Sequence, residues 1–333
     1  MRQLYTKWGE SLDRDNILKE YPRPQLVRDS YLNLNGEWDY TISKNKLSDE
    51  IDGKILVPFS PESVLSGVNR FLAPDEYLIY TKKVNLPERF IKERLLLHFG
   101  AVDQEAEIYV DNQLAITHLG GFTPFSADIT DFIKSEKFDL KVIVRDISDT
   151  GSRQTGKQRL KRGGIFYTPQ SGIWQTVWLE SVDKDYIKDI TLIPDYDNSR
   201  LYINMKTNDD SCLQAFKTIL SYRGKLIDIE EFNDKNFSIE IPGFLPWTPE
   251  SPNLYDLDIT YKNDKITTYF GMRKFERKAD AKGIMRFYLN DKPYLLSGVL
   301  DQGYYPDGLL TNPADEALYN DIKSMKEMGF NLL

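Results

Sequence analysis

Cysteine is all but missing from this chain: Cys212 is the only one in 333 residues. No intrachain disulfide can form, and a reducing compartment suits such a sequence. Cys212 sits in the polar run Asp210-Ser-Cys-Leu213, with no histidine near it and no metal-ligand spacing, and reads as a passive thiol. Histidine is nearly as scarce. His98 lies between Leu97 and Phe99, His118 precedes a glycine turn, and two isolated histidines do not make a metal site. Neither a metal nor an organic cofactor is expected. Positive charge is in deficit too, since 43 Lys and Arg face 51 Asp and Glu for a net charge of −8. That balance repels phosphate backbones and anionic membrane surfaces, so nucleic acid and membrane are not favoured partners. The local exception is Lys157-Gln-Arg-Leu-Lys-Arg162, read as a solvated or ligand-facing loop. The first residues, Met1-Arg-Gln-Leu-Tyr-Thr-Lys-Trp8, lack the apolar core of a signal peptide, and no apolar run is long enough to span a bilayer. A cytoplasmic protein is the expectation, in which the chance sequon Asn236-Phe-Ser238 goes unused. No internal repeat or low-complexity tract is visible.

What fills the chain instead is a succession of short β-type runs. Hydrophobic content of 41% and charged content of 28% fit a globular protein, and the length leaves room for two or three domains. Residues 1–30 are polar and carry Pro22-Arg-Pro24, which favours an extended segment along a surface. From Leu34-Asn-Gly-Glu-Trp-Asp-Tyr40 onward, runs such as Arg94-Leu-Leu-Leu-His-Phe99, Ala106-Glu-Ile-Tyr-Val110, Asp139-Leu-Lys-Val-Ile-Val144 and Gln175-Thr-Val-Trp-Leu179 read as strands. Asp111-Asn112, set between Ile108-Tyr-Val110 and Leu114-Ala-Ile116, predicts a tight hairpin because both residues tolerate a left-handed backbone. Arg223-Gly224, Asn263-Asp264 and Asn290-Asp291 carry the same signal. A boundary is expected near Val182-Asp183-Lys184. Beyond it, runs at 187–193, 201–205, 216–222, 237–241, 255–261 and 265–270 have the spacing of a seven-stranded, immunoglobulin-like sandwich over residues 183–276. The larger block, residues 1–182, suits a jelly-roll sandwich. The fold class is therefore mainly β.

Helical periodicity is scarce until residue 313. Tyr294-Leu-Leu-Ser-Gly-Val-Leu300 is a mostly apolar run, expected as a strand buried on both faces in a parallel sheet. Asn312 can cap a helix with Pro313 at its first position and Asp315 and Glu316 in its first turn. Ala314, Leu318, Ile322 and Met325 then recur at helical spacing, Gly329 supplies a stop, and Phe330-Asn-Leu-Leu333 is apolar again. A single βα unit cannot bury both faces of its strand. Residues 277–333 are accordingly read as the opening of an α/β barrel whose remainder lies beyond Leu333.

Several stretches, in order along the chain, resemble glycoside hydrolase family 2, the β-galactosidase, β-glucuronidase and β-mannosidase group. Leu34-Asn-Gly-Glu-Trp38 is similar to the family's opening strand, and Gly120-Gly-Phe-Thr-Pro-Phe125 with Asp128-Ile-Thr130 resembles its central signature. Ser171-Gly-Ile-Trp-Gln-Thr-Val-Trp-Leu-Glu180 resembles the block that closes its first domain. Trp247-Thr-Pro-Glu-Ser-Pro-Asn-Leu-Tyr255 and Phe270-Gly-Met-Arg273 resemble the close of its immunoglobulin-like domain, and Leu296-Ser-Gly-Val-Leu-Asp-Gln-Gly303 its first barrel strand. The resemblance implies a sugar-binding-type jelly roll, an immunoglobulin-like sandwich and a (β/α)8 catalytic barrel. It also implies a retaining mechanism in which two glutamates, their carboxyl groups roughly 5–5.5 Å apart, act as acid and nucleophile. Both glutamates belong to later barrel strands, so neither is expected in this chain.

Candidate residues follow from that frame. Glu316 and Glu327 lie on the helix after the first barrel strand, and barrel helices face away from the site, so neither is expected to be catalytic. Asp301 and Gln302, at the C-terminal end of that strand, are the expected substrate-binding residues. Asp301-Gln-Gly-Tyr-Tyr305 replaces the His-bearing loop of familiar galactosidases in the family. Gly163-Gly-Ile-Phe-Tyr-Thr168 likewise offers no carboxylate where those galactosidases hold the sugar, which puts strict galactose recognition in doubt. Arg159, Lys161 and Arg162 suit a solvated loop or, on the functional side, an acidic or extended glycan. Trp174 and Trp178, an even number apart, are expected on one strand face and in the core rather than as a sugar platform. Three functions fit: the N-terminal portion of a retaining exo-β-glycosidase, itself inactive; a carbohydrate-binding module; or an assembly module. Carbohydrate is the partner in the first two, and a second copy of the chain in the third.

Overall fold

The computed structural model describes residues 3–209 and 215–333, so Cys212 lies outside the described residues. The chain divides into two compact units. One is formed by Met1–Pro22, Ser30–Ser181 and Gln302–Ile322, the other by Arg23–Asp29, Val182–Asp301 and Lys323–Leu333. Each is held by its own apolar cluster.

In the first unit a one-turn helix, α1 (Lys7–Glu10), precedes the strands β1 (Tyr31–Asn33), β2 (Gly36–Ser43), β3 (Gly53–Val57), β4 (Tyr77–Asn85), β5 (Arg94–Phe99) and β6 (Val102–Asp103). They are followed by β7 (Glu105–Val110), β8 (Gln113–Leu119), β9 (Phe125–Asp128), β10 (Lys137–Arg145), β11 (Gly172–Ile173) and β12 (Val177–Val182). A four-stranded sheet in the order β1-β12-β5-β9 and a six-stranded sheet in the order β3-β2-β4-β10-β7-β8 make a β-sandwich, with β11 paired to β6. Alternation explains the layers: Ala106, Ile108 and Val110 of β7 turn inward while Glu105, Glu107 and Tyr109 do not. Trp38, Phe99, Leu95, Leu97, Val142 and Ile173 fill the interior, and each large apolar side chain so buried contributes roughly 1.5–3 kcal/mol. The hairpin at Asp111-Asn112 forms as expected, with φ of +46° and +63°.

The second unit contains β13 (Ile187–Asp195), β14 (Arg200–Thr207), β15 (Phe216–Tyr222), β16 (Lys225–Phe232), β17 (Asn236–Glu240), β18 (Tyr255–Tyr261) and β19 (Asp264–Phe270). Sheets ordered β13-β14-β17 and β16-β15-β18-β19 form a second β-sandwich. β16, outermost in its sheet, is the strand the sequence reading omitted. Its Leu226, Ile227 and Ile229 are exposed at 61%, 46% and 49%, so no buried face marks it in the sequence. Arg223-Gly224 makes the expected turn, with φ of +50° and +71°. The turn expected at Asn263-Asp264 falls one residue earlier, at Lys262-Asn263, and Asp264 opens β19 instead. The reason is electrostatic. Arg28 donates from Nε and Nη2 to the two carboxylate oxygens of Asp264, both at 2.9 Å, and both side chains are buried. Residues 23–29 are thereby pinned, Val27 bridging Thr267.

Downstream come β20 (Phe275–Ala279), β21 (Met285–Leu289) and β22 (Lys292–Pro293), with Asn290-Asp291 as the expected turn at φ of +50° and +64°. The strand expected at 294–300 is present only as an isolated parallel bridge, Gly298 to Leu332. Rather than buried on both faces, Leu295 is 84% exposed and Leu300 82%. The helix is α2 (Asp315–Glu327), starting two residues later than expected. Asn312 donates its amide to the Ala314 carbonyl at 3.0 Å instead of accepting from the first turn. The helix ends as expected, with Gly329 at φ +92° and the Phe330 N–H reaching back to the Met325 carbonyl at 3.1 Å. Its apolar stripe is uncovered, Leu318 and Ile322 being 40% and 58% exposed, and Ala317 is its buried residue. No helix of the described residues is long and apolar enough to cross a membrane.

Candidate functional site

Two stretches of the first unit, distant in sequence, meet around a buried polar seam. The first is the basic loop. Its two legs pair through Arg159 N–H to the Tyr167 carbonyl at 3.1 Å and Tyr167 N–H to the Lys157 carbonyl at 2.9 Å. The tip between them is exposed, including Lys161 and Arg162. Arg159 lies over the Phe166 ring at 4.8 Å, and Arg162 donates to Thr168 Oγ1 at 2.9 Å. The second stretch runs from Gln302 to Thr311. Gln302 Oε1 accepts from the Tyr167 hydroxyl at 2.6 Å and from Lys157 at 3.4 Å. Tyr304 stacks on Tyr167 at 4.5 Å and donates to the Thr168 carbonyl at 3.3 Å. The sequence reading singled out both the loop and Gln302 but not their contact. Asp301, its other substrate-binding candidate, is exposed and falls in the second unit.

The third component is the seam itself, and its acids are not among the residues named from sequence. Glu62, Asp103 and Asp146 are all buried in the first unit. Glu62 accepts from the Leu72 N–H at 3.2 Å and the Ser171 N–H at 3.0 Å. Asp146 accepts from the Ser148 N–H at 2.7 Å and the Ser171 hydroxyl at 2.8 Å. Burial pushes the Glu62 carboxyl up to about 7, against the pull of the backbone N–H groups of Ser171 and Leu72. Asp103 is driven upward by burial and then by the neighbouring Asp146 charge, and Asp146 is also raised by burial. Gln158 and Gln170 join this seam to the rest: Gln170 N–H donates to Gln158 Oε1, and Gln170 Oε1 accepts from Leu310 N–H at 2.9 Å. The available signal was the block Ser171-Gly-Ile173. Gly172 has φ +76°, and a Cβ there would stand 2.1 Å from the Tyr80 hydroxyl, which accepts from the Ile173 N–H.

The remaining candidates sort cleanly. Trp178 is buried in β12, stacked on His98 at 4.8 Å and bonded to Glu180 at 2.9 Å. Trp174 precedes that strand, so the two do not share a strand face as expected; it is half-buried and donates to the Gly121 carbonyl at 2.7 Å. His98 is buried, and His118 contacts the Gly120 carbonyl at 3.0 Å, with burial holding its imidazole below the usual range. Glu316 and Glu327 are exposed on α2. Among the described residues no group of three or more His, Cys, Asp or Glu is arranged to hold a metal ion. The seam can hydrogen-bond hydroxyl groups at its outer edge, at the half-buried Gln302 and Tyr304 and at the exposed loop tip. Its acids, sealed inside, cannot touch a ligand there.

Family models complete the picture. Residues 65–180 match the sugar binding domain of glycosyl hydrolases family 2, and residues 186–273 match the domain named simply glycosyl hydrolases family 2. The chain belongs to this family. A beta-galactosidase of Thermoanaerobacter pseudethanolicus is 25% identical over 297 residues, covering 83% of this chain and 39% of that protein. A family relative named beta-glucuronidase, from Streptococcus agalactiae, is 24% identical over 336 residues, covering 93% of this chain and 54% of that protein. The solved beta-glucuronidase of an uncultured Clostridium superposes with a TM-score of 0.72 at 24% identity, over 92% of this chain and 55% of that one, a likeness of fold. The chain thus spans from about two fifths to about half the length of these relatives.

Proposed function

We propose that this chain supplies the sandwich scaffold and part of the substrate rim of a retaining exo-β-glycosidase. The observation that carries the reading is the Gln302 joint. A residue assigned to the rim by family resemblance is held by Tyr167 and Lys157 of the loop in the sugar-binding-domain match. In this reading Gln302 and Asp301 contact hydroxyls of the terminal sugar, and residues 294–332, with their parallel bridge, form the first βα unit of a catalytic barrel. Relatives named beta-galactosidase and beta-glucuronidase support a β-linked sugar, and the exposed Lys161 and Arg162 favour the acidic one. Acid and nucleophile lie outside this chain. Glu62, Asp103 and Asp146 are sealed in the sandwich, and Glu316 and Glu327 sit on a helix.

The test uses the purified chain with chromogenic aryl β-glucuronide and β-galactoside. No turnover above a matched control is expected, and turnover of either overturns the division of labour. Saturation-transfer NMR with glucuronate should detect weak binding that Gln302→Ala lowers at least about threefold, the loss of roughly one hydrogen bond. Absence of binding to the wild-type chain rejects the rim. A second reading, an assembly module, draws on the exposed Leu295 and Leu300 and predicts a dimer by light scattering.

A further inference from the structure

Asp307 is fully buried, at 0% exposure, in the middle of the 302–311 segment. Its Oδ2 accepts from the Thr6 backbone N–H and from the Thr6 hydroxyl, both at 2.8 Å, across 301 positions of sequence. The same hydroxyl accepts from the Gly9 N–H at 3.0 Å, so one side chain closes α1 and grips the carboxylate. Gly9 makes room for it: a Cβ there would stand 2.0 Å from Asp307 Oδ2. Around Asp307 the main chain is turned back on itself, Tyr305 and Leu309 exchanging backbone hydrogen bonds of 2.8 and 3.0 Å. Beyond the turn, Thr311 Oγ1 donates to the Trp174 carbonyl at 2.7 Å. Upstream, Gln302 and Tyr304 reach Tyr167 through their side chains.

These contacts put the carboxylate between the anchored end of the segment and the end facing the basic loop. A buried carboxylate that loses its donors must regain water, and a segment no longer gripped at Asp307 is free to move outward to meet it. We infer that Thr6 to Gly9 act as a latch on the segment and that Asp307 is a positioning residue. Closed, the latch sets Gln302 and Tyr304 against Tyr167. Open, it loosens them without altering any group that meets a ligand. The inference rests on the preceding reading only in calling this segment a rim.

Amide hydrogen exchange on the whole chain tests it without any sugar. In Asp307→Ala, exchange across 302–305 should quicken about tenfold or more, and in Thr6→Val several-fold, while β5 and β10 keep wild-type rates. Asp307→Asn should restore most of the protection, because its carbonyl oxygen still accepts from Thr6. Unchanged exchange at 302–305 in Asp307→Ala overturns the proposal. So does an equal rise in β5 and β10, which marks general loosening, or failure of the asparagine to rescue. Should Asp307→Ala not fold, Thr6→Val and Asp307→Asn decide by the same criteria. A latch that fails here leaves the glycosidase reading standing, since that reading is tested by turnover and by Gln302→Ala.

Discussion

In the second unit the buried Asp264 faces a guanidinium, whereas in the first unit Glu62 and Asp146 accept from backbone N–H groups and the Ser171 hydroxyl, and Asp103 meets Gln158 with its Oδ1 left unpaired among the described residues. Arg28 meets Asp264 through two parallel bonds and also donates to the Ile187 carbonyl, while the Ile187 N–H returns to Asp264 at 2.8 Å. That arrangement ties residues 23–29 into the second sandwich with charge cancelled on the spot. The acids of the first sandwich have no such partner, and burial drives their carboxyls toward the neutral form. Asp264 is met by a counter-ion, whereas the carboxyls of Glu62, Asp103 and Asp146 are raised by burial. The same family scaffold can thus be sensitive to mutation at one buried acid and to pH at others.

Removing the counter-ion should have the largest effect. Arg28→Met leaves Asp264 buried and uncompensated, and should cost roughly 3–5 kcal/mol in urea denaturation. A loss under about 1 kcal/mol would mean that water reaches Asp264 and that the contrast is false. The next largest effect turns on pH. Glu62 has a folded-state carboxyl near 7, above its unfolded value, so its contribution is full below the unfolded value and is lost as pH rises toward and through 7. Both Glu62 oxygens accept backbone N–H groups, so Glu62→Gln, with one acceptor oxygen and an NH2 facing a donor, should cost about 1–3 kcal/mol at pH 5 and less at pH 8, where the native glutamate carries the cost of its own buried charge. Equal effects at both pH values would place Glu62 in water contact. The smallest effect is expected at Ser171→Ala, which removes one neutral donor from Asp146 but keeps the backbone N–H to Glu62. It should cost about 1 kcal/mol by thermal melting. A cost rivalling that of Arg28→Met would show that the first sandwich relies on this donor as the second does on its arginine.

How much of this the sequence disclosed depends on whether a residue's role is local. Asp111-Asn112, Arg223-Gly224, Asn290-Asp291 and Gly329 were legible because a left-handed backbone is a demand on the residue itself. β7 was legible because its alternation survives in the sequence. β16 was not, since its apolar residues lie open on an outer strand and mimic no buried pattern. Asp264 was assigned to a turn because its partner, Arg28, lies 236 positions away. The acids of the first sandwich were invisible for the same reason, Glu62 meeting Ser171 across 109 positions, and acidic residues read one at a time pass for surface. Of the candidate site, the basic loop and Gln302 were named from sequence, but the Tyr167 joint and the Thr6 to Asp307 contact are products of the fold alone.

The outer strand β16 also bears on how this protein behaves when concentrated. Lys225–Phe232 offers Leu226, Ile227 and Ile229 on an open edge, a template on which a second molecule can add its own β16. Asp228, Glu230 and Glu231 stand among those residues, and two such edges aligned would set carboxylate against carboxylate. This guard is electrostatic, so salt thins it: at 0.1 M the screening length is already about 10 Å. Acid thins it as well, and earliest at Glu230, whose carboxyl is raised by burial and then by its hydrogen bond with Asp228. Clear solutions at neutral pH and low salt, and haze on mild acidification in high salt, are what this edge dictates.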